Sequence, residues 1–159
     1  MDVNVKMEVH QLSASFTADY PVEKYPELMY KQTRPYSCLT IDTDTNYYIC
    51  IPYRTNILHN NAFKFRGTKR SQSHTSGLDY SKIVLVQKTT YFDSQGAHVD
   101  QDEYNETRKN IKKISTDAIR YVNGYINHHN GTKVLHPKEY ARKYQYSTLK
   151  YFHNILNLK

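Results

Sequence analysis

The spacing of apolar positions along this chain changes near its middle. In the first part apolar residues fall in short runs, and in the second they recur every three to four residues. VNVKMEVHQL (3–12) alternates weakly and predicts a strand, with SASFTADY (13–20) as its hairpin partner. YPVEKYPELMY (20–30) is interrupted by Pro21 and Pro26, which predicts a loop holding at most one helical turn. The runs YSCLTI (36–41) and YYICIPY (47–53) are rich in β-branched and aromatic side chains and are joined by DTDTN. They are the strongest hairpin signal in the sequence. SKIVLVQKTTYF (81–92) predicts a buried strand, while 53–80 is polar and basic around the short apolar patch AFKF.

Beyond Gly96 the period becomes helical. Ile111, Ile114, Ala118, Tyr121, Val122 and Tyr125 form one stripe. Asp100, Asp102 and Glu103 lead the segment and Asn130-Gly131 closes it, which suits the helix dipole and a C-cap. Shorter helices are predicted from about Pro137, a favourable first helical position, and over STLKYFHNILNL. No internal repeat is present. With 159 residues the chain reads as a single α+β domain, β-rich over 1–95 and helical over 100–158, with its sheet antiparallel.

Composition sharpens this picture. Apolar residues make up 38% of the chain, yet there are 16 tyrosines and no tryptophan. A tyrosine fills a core while its hydroxyl still reaches a polar group. Cys38 and Cys50 both fall in strand-like runs, either as small buried hydrophobes or as a cross-strand pair, and no CxxC spacing suggests a metal. The opening MDVNVKMEVHQL lacks the apolar core of a signal peptide, and no segment is long enough to span a membrane. The expected location is the cytoplasm, with no membrane partner.

The formal net charge is +7, which favours a polyanionic partner. The charge is also unevenly placed. No acidic residue occurs between Asp44 and Asp79, whereas the same stretch holds Arg54, Lys64, Arg66, Lys69 and Arg70 with His59 and His74. Such a window suits a phosphate backbone. Interleaved tyrosines and amides, with no recognition helix, favour single-stranded RNA over duplex DNA. RNA cleavage needs no protein nucleophile, because the 2′-hydroxyl attacks the adjacent phosphate. The protein must align that attack, move protons and neutralise the transition state. The window offers no carboxylate cluster for a two-metal site, so neither metal nor other cofactor is expected.

Three motifs then carry a family resemblance: YxxxRPY (Tyr30 to Tyr36), IPYRTNILHNNAF (51–63) and GLDYSKIVLV (77–86). In this order and spacing they resemble the ToxN-like endoribonuclease toxins of type III toxin–antitoxin systems, the CptN and TenpN branches in particular. The resemblance covers about residues 28–92. It implies a strongly bent antiparallel β-sheet core like that of the MazF and Kid toxins, with helices mainly in the C-terminal half. It implies metal-independent, sequence-specific cleavage of cellular or phage RNA to a 2′,3′-cyclic phosphate in bacterial abortive infection. A small pseudoknot RNA antitoxin, processed by the toxin itself, would inhibit it within a cyclic protein–RNA assembly.

Residue by residue, the family's tyrosine and basic residue before the first central strand match Tyr30 and Arg34. Its hydroxyl-bearing position after the second strand matches Thr55, whereas the lysine expected there is replaced by the neighbouring Arg54. That departure leaves the general acid to His59 or to a lysine of 64–70. The catalytic candidates are therefore Tyr30, Arg34, Arg54, Thr55 and His59. Asn60, Asn61, Lys64, Arg66, Lys69, Arg70, Ser73, His74 and Lys82 are the RNA-binding candidates. Each has a plainer reading: Tyr30 as core, Asn60 and Asn61 as turn caps, the lysines and arginines as a solvated loop. His128-His129 reads as a solvated helix end. The alternative function is a non-catalytic, basic RNA-binding module.

Overall fold

A computed structural model describes residues 8–30, 36–94 and 96–159. Over these described residues the chain is α+β, with a six-stranded antiparallel sheet and four α-helices, three of them C-terminal. The predicted hairpin is present as β2 (Ser37–Asp42) and β3 (Tyr48–Arg54), which pair antiparallel from Cys38↔Pro52 to Asp42↔Tyr48. β1 (Glu8–Gln11) lies on the outer side of β2. β3 is the hub: its first half pairs with β6 (Val84–Val86), and its last two residues pair with β5 (Gly77–Asp79), which carries β4 (Ala62–Lys64). Pro52 falls where the β6 partner has ended and the β5 partner has not begun, a position that tolerates a residue without an N–H.

Several elements differ from expectation. SASFTADY is not a strand: α1 (Ala14–Asp19) forms there because the Ser13 side chain accepts the Phe16 N–H as an N-cap, and Phe16 is buried. The 81–92 run supplies only the short β6, flanked by 3-10 turns at Tyr80–Lys82 and Thr89–Tyr91. The helical segment is two helices, α2 (Gln101–Lys109) and α3 (Ile111–His129). Between them the Asn110 amide donates to the Glu106 carbonyl at 2.9 Å, local side-chain bonding that competes with a continuous helix. α4 (Pro137–Tyr144) begins at its proline as predicted. The last predicted helix is a 3-10 turn, Thr148–Phe152, whose Thr148 hydroxyl is held by the Ile83 carbonyl beside β6.

The core joins both halves. Leu39, Ile41, Ile51, Leu78 and Leu85 of the sheet share one buried cluster with Ile114, Ala118 and Val122 of α3 and with Leu149 and Phe152. Full burial of each large side chain stabilises by roughly 1.5–3 kcal/mol. Tyr121, Tyr125 and Tyr144 pack ring against ring, and their hydroxyls find the Lys143 carbonyl, His153 and the Tyr121 carbonyl respectively. Cys38 and Cys50 are free and buried; Cys38 faces Pro52 and Cys50 faces Thr40 across the hairpin, so the two are not opposite each other. Burial holds both thiols protonated, that of Cys50 pushed up to about 12.

Candidate functional site

The end of β3 delivers Arg54 and Thr55 to the surface, and the end of β5 delivers Asp79 beneath them. The two strands are adjacent, with Arg54 opposite Gly77. A β-carbon at Gly77 would collide with the Phe63 carbonyl oxygen and lie 2.9 Å from the Lys64 α-carbon. Only glycine therefore lets β4 approach closely enough to set this corner.

Asp79 organises the corner. Its side chain is fully buried, and Oδ2 accepts Arg54 Nη1 at 3.0 Å and His59 Nε2 at 3.2 Å. Oδ1 accepts the Ser81 hydroxyl at 2.6 Å and the Ser81 N–H at 2.9 Å. Burial alone would raise this carboxyl; the hydrogen bonds from His59 and Ser81, with the charge of Arg54, outweigh it and hold the group below the usual aspartate range. Arg54 is thereby fixed by one edge, its Nη2 also lying 3.8 Å from Met29 Sδ, and its remaining N–H groups are unoccupied by described residues.

The HNN segment is bound from three sides. The Asn61 N–H donates to His59 Nδ1 at 3.1 Å, so Nε2 carries the proton and donates it to Asp79. Ser81 Oγ also lies 3.2 Å from Nε2. The Asn61 amide donates to the Arg142 carbonyl at 2.9 Å, capping the C-terminal end of α4. Both ring nitrogens of His59 thus face protein partners, and only Asn60 points freely to solvent. The segment is a brace between β5 and α4 as well as a turn.

Beside this corner opens a cleft of about 530 Å³. Arg54 and Thr55 line it together with the rings of Tyr30, Tyr36 and Tyr53, and Arg70 and Glu103 form part of its wall. Tyr30 is nearly buried, and its hydroxyl donates to the Tyr20 carbonyl at 2.7 Å. It contributes a ring to the cleft, not a free hydroxyl. Arg34 lies outside the described residues.

The acid-free window is not acid-free in space. The first turns of α2 dock against it: Glu106 accepts the Arg66 and Gly67 N–H groups at 2.9 and 2.8 Å, and Asp102 accepts the Lys69 N–H at 2.7 Å. Arg70 Nη2 is paired with Glu103 at 3.0 Å and with Asp100 at 3.3 Å. The expectation of an unopposed positive loop is corrected accordingly. The side chains of Lys64, Arg66 and Lys69 form no ion pair among the described residues, so those three remain available to an anion. Ser73 and His74 are exposed on the same loop, at the 3-10 turn Arg70–Gln72.

Lys82 must be removed from the RNA-binding set. It is buried, and its ammonium is taken by Glu27 at 2.9 Å and by the Tyr146 carbonyl at 2.8 Å. It ties the first loop to the C-terminal segment. His128 is less solvated than expected, half-buried and stacked on Tyr140, whereas His129 is exposed as expected and lies 3.0 Å from the Tyr140 hydroxyl. Among the described residues no cluster of histidine, cysteine or carboxylate side chains is arranged to hold a metal.

Sequence reasoning missed Asp79, Ser81 and Glu103. Asp79 and Ser81 stood in the GLDYSK motif, where Asp79 merely bounded the acid-free window. Glu103 looked like a helix-dipole acid forty-nine residues beyond Arg54, and nothing local tied it to the cleft. Comparison with protein families, with curated proteins and with solved structures returned no match for this chain.

Proposed function

We propose that this protein is a metal-independent endoribonuclease that cleaves single-stranded RNA by attack of a 2′-hydroxyl, leaving a 2′,3′-cyclic phosphate. In the same reading it is the toxin of a type III system, with a sheet bent in the manner of MazF and Kid. A small pseudoknot RNA, which it also processes, holds it inactive in a ring-shaped assembly in the cytoplasm.

One observation carries the reading: a guanidinium anchored by a buried carboxylate sits beside a threonine hydroxyl on the wall of an aromatic-lined cleft. Fixed in this way, Arg54 presents its outer N–H groups without reorganisation to the charge that develops on a pentacoordinate phosphorus. Thr55 adds a neutral donor to the same phosphate. The rings of Tyr36 and Tyr53 give flanking bases an apolar surface.

Purified protein should cut RNA in EDTA, and Arg54→Ala should lower kcat about 100- to 1,000-fold, as expected for loss of a preorganised transition-state donor. Thr55→Ala should cost less. No cleavage of any RNA by the wild-type chain would refute the enzyme reading. The binding-module alternative is favoured by His59, whose ring nitrogens are both occupied. In that case Arg54→Ala weakens RNA binding modestly and no cleavage is seen.

A further inference from the structure

Within the endoribonuclease reading, we propose that Glu103 is the general base of the cleft, the group that takes the proton from the attacking 2′-hydroxyl. Besides Glu103, the exposed His98 is the other side chain of the cleft lining able to accept a proton, and it lacks the buried, unpartnered oxygen that Glu103 presents. His59 donates Nε2–H inward to Asp79 and accepts at Nδ1 from Asn61. Asp79 is fully buried under Arg54 with both oxygens occupied. The Tyr30 hydroxyl is bound to a backbone carbonyl. Glu103 instead lies on the cleft wall with Arg54 and Thr55.

Its two oxygens differ. Oε1 is held by Arg70 at 3.0 Å, whereas Oε2 is buried and has no hydrogen-bond partner among the described residues. A bare carboxylate oxygen is costly to bury unless something else is meant to meet it. Burial first, and then Asp100 at the N-cap of its helix and Asp102 in the first turn, raise this carboxyl, with Arg70 opposing. Tyr53 of β3 faces it as well. A raised carboxylate is a better proton acceptor near neutral pH than an ordinary one.

Arg70 is 38% exposed. A substrate phosphate competes for its guanidinium, and release of Arg70 turns the carboxyl toward the cleft. The step then balances. The O2′–H bond breaks as O2′ bonds to phosphorus, and the proton passes to Oε2. The P–O5′ bond breaks with its electron pair on O5′, which takes a proton from water at the cleft mouth.

The test compares wild type, Glu103→Gln and Glu103→Asp in single-turnover cleavage of RNA in EDTA across pH 4–9. It is paired with binding of an uncleavable 2′-O-methyl RNA and with thermal melting. Glu103→Gln should lose about 100-fold or more in cleavage rate while binding the 2′-O-methyl RNA within about threefold of wild type. Its Tm should be unchanged or higher, because burial disfavours the Glu103 charge more than Arg70 supports it. Glu103→Asp should regain part of the rate with a shifted acid limb. If wild type cuts and Glu103→Gln cuts within threefold of it, the assignment falls and the nuclease reading stands. If Glu103→Gln does not fold, an unaltered rate and acid limb in Glu103→Asp overturn the assignment. If wild type cuts no RNA, both fall together.

Discussion

Asp79 illustrates how one side chain converts scattered residues into a site. Arg54, His59 and Ser81 reach it from a strand end, a turn and a 3-10 segment, and each satisfies a different part of one buried carboxylate. Replacing it by asparagine leaves Arg54 as a half-buried cation without its counter-charge, and breaking such a pair costs roughly 3–5 kcal/mol. Because its folded-state carboxyl lies below the ordinary range, its stabilisation is complete above about pH 4 and is lost as pH falls through the lowered value. Urea titrations of wild type should show stability declining on acidification below that point. Asp79→Asn should be less stable at neutral pH, with a shallower decline in acid; an equally steep decline would assign the acid sensitivity elsewhere.

At the scale of elements, two contacts set the surroundings of the cleft. The first is the close crossing of β4 and β5 at Gly77, where a methyl group meets backbone that has nowhere to move. Gly77→Ala should therefore lower Tm by several degrees, consistent with overpacking costs of about 1–3 kcal/mol, and should impair whatever the Arg54 corner does. The second is the clamp of α2 on the basic loop, in which Glu106 alone caps two backbone N–H groups. Glu106→Ala should speed amide exchange of residues 66–70 selectively, leaving the sheet protected. Uniform loss of protection would show that the clamp holds the whole fold. Much of this level was readable in the sequence. The β2–β3 hairpin follows from two β-branched, aromatic runs around DTDTN, and α4 from its proline. The α1 strand prediction failed because Ser13 caps a helix, a local bond that overrides a weak alternation.

For the molecule as a whole, charge decides how an anionic partner is met. The net +7 implies long-range attraction, yet α2 brings four acids against the loop that looked most positive. Lys64, Arg66 and Lys69 are left as its free cations among the described residues. RNA binding carried by these three should show a log–log salt slope near about −2, the value for three contacts on a single strand. Anisotropy titrations over a range of potassium chloride would measure it. Mutating all three to alanine should flatten the slope, and an unchanged slope would place the binding surface elsewhere.

By itself the sequence determined the α+β order, the central hairpin, the helical stripe of α3 and the concentration of cations between Asp44 and Asp79. Those are consequences of local periodicity and composition, which short-range physics expresses without help. Tertiary structure alone decided which of the candidate residues meet. It placed Asp79 under Arg54 and His59 through strand pairing, turned Lys82 inward, capped α4 with Asn61, and carried Glu103 from the helical half to the cleft wall. Each of these contacts joins residues distant in sequence, and only packing of the sheet against the helices brings them within hydrogen-bond reach.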